Sequence, residues 1–322
     1  MAYVKAGELI RLLRLQKKIS QEKLAEGIMD RTSLSRFELG KQNITKDKMD
    51  ALLNKLGYLT HQYFNYTIND DEFNAYILRD RLDELIKHNE TEEADKLIAE
   101  MEKIPAFDEG RHRQYLLSCK AGNIINKKGD LDAAKALLDE AINISLPGFN
   151  ENAIATYLLV SEDINIITSI ATIYHFKQQN KQAISILQKL ANRIKSQYID
   201  EKDKASSLAL IHYNLSKFLG LEGRYSESLE ICDEAIDMCV KYSAYYFLPE
   251  LVYNKAYDLF HLNMRVECEH LLNLTYYGCV LMGKTVQQEY IYNSARDNFS
   301  MELKNITVTL NTEHQPANHI TA

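Results

Sequence analysis

Between Ser118 and Cys279 one spacing recurs four times, and it fixes how the backbone there must fold. A small residue is followed twelve positions later by another small residue, and four positions further on by a larger one. The small pairs are Gly122 and Ala134, Ala171 and Ala183, Ser216 and Ser228, and Ala256 and Cys268; the larger residues are Leu138, Leu187, Cys232 as a weak version, and Leu272. Small side chains let two helices approach closely, so each unit reads as a pair of packed helices. Composition agrees. The chain has 12 Gly and 4 Pro in 322 residues, about 5% against a usual level of roughly 12%, and so few breakers leave nearly all of it helical.

The turns inside these units read NKKGD, KQQNK and LEGRY. Together with the small-residue register they resemble the tetratricopeptide repeat. Four repeats are expected, with a degenerate fifth over Phe73 to Ile104, where TEEADKLIAEME is the second helix, and a capping helix from about Val286 to Leu303. Such repeats bury their apolar faces only by stacking, which curls the array into a right-handed superhelix with a concave surface lined by the first helices. In the resemblance, inward positions fall on Asn123, Asn126, Asn165, Tyr213, Asn214, Lys217, Tyr253, Asn254 and Tyr257. An asparagine amide donates to a peptide carbonyl and accepts from a peptide N–H at once, and tyrosines offer rigid, half-polar walls, so the set is expected to hold an extended peptide. For Asn214 and Asn254 a structural role between repeats stands equally open.

A different pattern occupies the N-terminal end, SQEKLAEGIMDRTSLSRFELG from Ser20 to Gly40. Ser20 suits the cap of a helix whose inner face carries Leu24, Ala25 and Ile28; after a turn at Met29 and Asp30, Asp30 caps a second helix with Leu34 and Phe37 inward. Arg31, Thr32, Ser33, Ser35 and Arg36 then point outward. Gly7 to Tyr58 looks like the helix-turn-helix domain of the Xre/Cro/phage-repressor class, through RLLRLQKKISQEKLAE, SLSRFELGKQ and MDALLNKLGY. The turn between the motif helices is a residue shorter than in phage repressors, as in peptide-regulated members. In such a domain the second motif helix enters the major groove. Arg31, Thr32 and Arg36 are expected to read bases, Gln21, Ser33, Lys41 and Asn43 to hold phosphates, and Ser35 to lie on the same face. Arg14 and Glu38 match positions that pair across the core of the resembling domains.

Charge separates the two parts. Residues 1–66 carry 12 Lys and Arg against 7 Asp and Glu, and the remainder carries 26 against 38, so a basic head precedes an acidic body within a net charge of −7. Counterion release favours basic charge where phosphates are contacted. The five cysteines form no C-x-x-C and are odd in number, which argues against a disulfide framework or zinc site. Glu267, Glu269 and His270 with His261 lack a repeated ligand spacing, and there is no glycine-rich phosphate loop or nucleophile motif. No enzyme, cofactor or metal is expected. The N-terminus lacks a signal-peptide core and no apolar run would span a membrane, which predicts a cytoplasmic protein.

A head of this class joined to tetratricopeptide repeats resembles the RRNPP family of peptide-responsive regulators, named for Rgg, Rap, NprR, PlcR and PrgX. The resemblance implies an all-α protein: a five-helix DNA-binding domain with the start of a linker over 1–66, a peptide-binding and dimerisation domain over 67–303, and a mobile tail over 304–322. The linker itself is expected between Leu59 and Asp71. It further implies a homodimeric, quorum-sensing transcription factor of a low-GC Gram-positive bacterium, its phage or plasmid, reading a two-fold operator in double-stranded DNA under control of a short signalling peptide, with no membrane partner. Two alternatives stay open: repeats that bind a protein instead of a peptide, and a phosphorelay-blocking or phosphatase-like role.

Overall fold

The computed structural model describes residues 6–56, 70–87 and 90–303, all of it helix and connecting turns, with no strand among the described residues. The chain divides into two units, Met1–Pro147 and Gly148–Ala322.

The first unit opens with α1 (Ala6–Gln16), α2 (Gln21–Ala25), α3 (Arg31–Glu38) and α4 (Lys46–Lys55). Ser20 and Asp30 are the caps the sequence calls for: Ser20 Oγ accepts from Lys23 N–H at 3.1 Å and Asp30 Oδ1 from Ser33 N–H at 2.8 Å. These bonds satisfy amides that the first helical turn leaves unpaired. Ile10, Leu13, Leu24, Leu34, Phe37, Leu52 and Leu53 form one buried cluster. Helices α1 and α3 touch backbone to backbone at Gly7, where a Cβ would sit 1.7 Å from the Phe37 carbonyl oxygen. Ile28 falls outside the motif's first helix, contrary to expectation. Helix α2 ends at Ala25 and Gly27, at φ +76°, turns the chain, so Ile28 packs on the core from the turn itself.

The same unit continues with α5 (Asp70–Lys87), α6 (Thr91–Met101), α7 (Gly110–Asn126) and α8 (Leu131–Ser145). Helices α5 and α6 form a helix pair over the span where the degenerate repeat is expected. The expected linker lies outside the described residues apart from Asp70 and Asp71 at the start of α5, and the tail from Lys304 lies outside them entirely.

The second unit stacks α9 (Ser161–Phe176), α10 (Asn180–Ser196), α11 (Glu201–Leu221), α12 (Tyr225–Lys241), α13 (Leu248–His261), α14 (Arg265–Leu281) and α15 (Thr285–Asp297). Here the twelve-residue register places Ala171 with Ala183, Ser216 with Ser228, and Ala256 with Cys268, all fully buried. No helix among the described residues is long and apolar enough to cross a membrane.

Two further expectations differ from the structure. Between α7 and α8 lie four residues, Lys127 to Asp130, where the later repeats have three. The extra residue moves the small anchor back by one. Ala121, not Gly122, is buried opposite Ala134, and a Cβ on Gly122 would meet nothing within 4 Å. The final helix stops at Asp297 instead of reaching Leu303. Ser300 adopts φ +52°, and the chain after Asn298 folds back so that Phe299 and Leu303 close the core against Ile291 and Ala295.

Candidate functional site

In the head, Arg31, Thr32 and Arg36 are exposed on α3, with Ser33 and Ser35 half-buried beside them and Lys41 and Asn43 exposed in the following turn. Ser33 is doubly tied to Asp30, through its N–H and through its hydroxyl, which donates to Oδ2 at 2.6 Å. These bonds hold the Asp30 carboxyl below its ordinary range. Behind this face lies the expected ion pair. Arg14 Nε donates to Glu38 Oε1 at 2.6 Å and Nη2 to Oε2 at 2.8 Å, while Nη1 caps the Ile19 carbonyl at 2.9 Å. Bonding to Glu38 strengthens the Arg14 guanidinium's hold on its proton against the opposing effect of burial.

Sequence reasoning missed where that pair leads. Glu38 Oε2 also accepts from Gln21 Nε2 at 2.7 Å. The buried charge therefore fixes the orientation of Gln21, the first residue of α2. A concavity of about 500 Å³ opens over this network, walled by Arg11, Ser20, Gln21, Arg31 and Ser35. Arg11 had no role in the sequence reading; its signal was its spacing of three from Arg14, which puts both on neighbouring turns of α1.

The peptide set is spread over both units. Asn123 and Asn126 belong to the first, where Asn123 donates to Asp95, which also takes the Lys127 ammonium. Asn126 lines a cavity of about 210 Å³ with Leu85, Ile86, Ala94, Ile98 and Gly122. In the second unit Asn165 is exposed on α9. Tyr213 stacks on Phe247 at 5.7 Å, and burial pushes its phenol up to about 12. Asn214 Nδ2 donates to the Leu210 carbonyl at 3.0 Å. The Asn254 amide lies between repeats, donating to the Tyr213 carbonyl and to Ser216 Oγ, both at 2.9 Å.

Lys217, Tyr253, Asn254 and Tyr257 come together around one cavity of about 120 Å³ on α11 and α13. Gly220, Asp258, Tyr290 and Asn298 complete its wall. None of those four carried a signal in the repeat register, because Tyr290 and Asn298 belong to the closing segment and Gly220 and Asp258 sit beyond the counted positions. The Tyr253 hydroxyl bonds Ser294 Oγ at 2.6 Å and donates to Tyr290 Oη at 3.5 Å, fastening α13 to α15. Asp258 is buried, and burial pushes its carboxyl up to about 7. His261, by contrast, is stacked against Tyr225 with ring centroids 4.8 Å apart, and no metal-holding cluster occurs among the described residues.

The fold is similar to known ones. A helix-turn-helix family model matches residues 10–64, and the model of the RNPP family C-terminal domain matches residues 132–268. No curated protein matches the sequence. Among solved structures, Bacillus thuringiensis PlcR in complex with the peptide PapR7 and DNA is 20% identical, with a TM-score of 0.65 over 90% of this chain and 99% of that one. The SHP pheromone receptor Rgg2 of Streptococcus dysgalactiae is 13% identical, with a TM-score of 0.52 over 91% of this chain and 100% of that one. ComR of Streptococcus vestibularis with its cognate signalling peptide XIP is 14% identical, with a TM-score of 0.51 over 92% and 98% of the two chains. The likeness to each is one of fold. The chain thus joins a helix-turn-helix domain to an RNPP family C-terminal domain, the combination expected from its sequence under the name RRNPP.

Proposed function

We propose that this chain is a dimeric, sequence-specific DNA-binding regulator of transcription, switched by a short peptide held on the first helices of its second unit. The observation that carries the DNA half is the division of labour on α3. The side chains of Arg31, Thr32 and Arg36 are exposed and make no hydrogen bond or ion pair among the described residues, while Asp30, Arg14 and Glu38 fix the helix from behind. A rigid helix with uncommitted donors suits a groove-reading role, since ordering costs are met before DNA arrives. The peptide half is supported by the cavity at Lys217, Tyr253 and Tyr257 and by the relatives: PlcR and ComR are known with the peptides PapR7 and XIP.

Gln21, Ser33, Ser35, Lys41 and Asn43 are assigned to the phosphates beside the base-reading residues. Asn165, Tyr213 and Asn214 extend the peptide surface away from the cavity. Asn254 serves the repeat stack with its amide and offers the ligand only its carbonyl oxygen. This is a regulator and not an enzyme, working in the cytoplasm.

Selection of random-sequence duplexes by the full-length chain tests the reading. A two-fold motif should emerge, with half-sites one helical turn or a multiple apart. Recovery of duplexes without sequence preference, or of an unpaired half-site by a chain that sediments as a monomer, would defeat it.

A further inference from the structure

In the second unit one lysine stands at the wall of the cavity on α11 and α13. Four other lysines of this unit are paired locally: Lys195 with Glu234, Lys204 with Glu201, Lys255 with Asp233 and Lys284 with Glu250. Lys217 makes no hydrogen bond or ion pair among the described residues. It is also the sole charged residue among the inward positions expected on α9, α11 and α13.

Lys217 is exposed, but it stands at the cavity wall. The side chain reaches water, yet the walls of the cavity desolvate the ammonium enough to draw its pKa below the ordinary lysine value. On the α9 side its charge is felt by His175, whose ring stacks on Phe218 at 4.2 Å and bonds Asn180. Glu222 on that side already takes the Asn180 amide. On the α13 side stand Tyr253 and Tyr257, which supply no counter-charge. Asp258 lies against Gly220, where a Cβ would meet its Oδ1 at 2.7 Å, and burial favours its neutral form. An exposed cation beside a cavity, partly desolvated by its walls and without a partner among the described residues, suits an anion, because a charge-assisted hydrogen bond is stronger than a neutral one.

We propose that the peptide held by the second unit presents a carboxylate to Lys217 and seats the neighbouring apolar or aromatic residue in the cavity walled by Tyr253, Tyr257 and Tyr290. This rests on the peptide reading above. The carboxylate is either the peptide's free C-terminus or an Asp or Glu side chain, and the arms of the test separate the two.

The full-length chain is incubated with a pool of synthetic heptapeptides of apolar and aromatic residues. Each is made with a free C-terminus, as a C-terminal amide carrying one Asp, and as an amide with no acid. Retained peptides are counted by mass spectrometry after gel filtration, for wild type, Lys217→Ala, Lys217→Arg and Lys217→Glu, with melting temperatures confirming that each variant folds. Wild type should retain acid-bearing peptides, and the form retained names the source of the carboxylate. Lys217→Ala should weaken them by roughly 10- to 150-fold, the range of one charge-assisted hydrogen bond. Lys217→Arg should keep most of the affinity, and Lys217→Glu should abolish it. Equal retention of the acid-free amides, or unchanged retention by Lys217→Ala, would overturn this inference and leave the peptide reading standing. A pool from which wild type retains nothing would overturn both.

Discussion

The Arg14–Glu38 pair offers the sharpest test of how the head is built. Both side chains are almost wholly buried, at 9% and 1% exposure, and the contact is bidentate. Glu38→Leu would strand a guanidinium with only the Ile19 carbonyl as partner, and Arg14→Met would strand a carboxylate with only Gln21. Each should cost about 3 to 5 kcal/mol, the penalty for an uncompensated buried charge. At about 0.05 to 0.15 kcal/mol per residue, a head of roughly 50 residues holds only about 3 to 8 kcal/mol in all. Either single change should therefore unfold much of the head and leave the repeats intact. The chain contains no tryptophan, so amide hydrogen exchange on the full-length protein is the assay. Exchange should accelerate across α1 to α4 and stay unchanged over α9 to α15. The double variant, which leaves no charge unpaired, should recover most of the protection, since apolar replacement of a buried pair is often neutral or stabilising. If the single variants each lose under about 1 kcal/mol, or the double loses the sum of the two, then the pair is not the buried charge-compensated unit its geometry describes.

Other expected outcomes concern the surfaces and the second unit. Arg31→Ala should weaken the selected operator by about 1 to 3 kcal/mol and relax one base position, whereas Lys41→Ala should weaken all sequences alike and lower the salt slope by about one; mobility-shift titrations over a salt series distinguish the two. Asp258 keeps its proton up to about pH 7 in the folded chain, against 3.8 for the ordinary side chain. The folded state thus binds more protons across that window, and stability should fall as pH rises from about 4 to about 7 and level off above it. Denaturation of Asp258→Asn over the same range should lack this decline. Peptide and operator should alter each other's affinity by one common factor, typically about 5- to 150-fold, measurable by titrating a retained peptide with and without DNA. In that titration Asn214→Ala should bind peptide more weakly, and Asn254→Ala should chiefly lower the melting temperature, because its amide joins α13 to α11.

How far the sequence alone could go is clear from particular residues. Caps, faces and breakers are local, so Ser20, Asp30, Leu34 and Phe37 took their expected places, and the twelve-residue register held wherever the turn length held. Arg14 and Glu38 were placed by resemblance to domains of known pattern. The register slipped by one at Gly122 because a single added turn residue, invisible to periodicity, rotates the first helix by a whole position. The last helix stopped early because the chain reversed at Ser300 to bury Phe299, a choice made by the core and not by local propensity. Side-chain commitments were the least legible. An inward asparagine reads the same whether it faces a ligand or, like Asn254, bonds the neighbouring helix. The sequence by itself determined an all-helical chain, a basic capped head and a stack of helix pairs, since these follow from spacing and charge along the chain. Only the tertiary structure decided which polar groups bond one another. It gathered Gln21 onto the buried Glu38 and set Lys217 among tyrosines with no ion pair among the described residues, because those neighbours lie 17 to 73 residues apart in sequence and meet only when the helices pack.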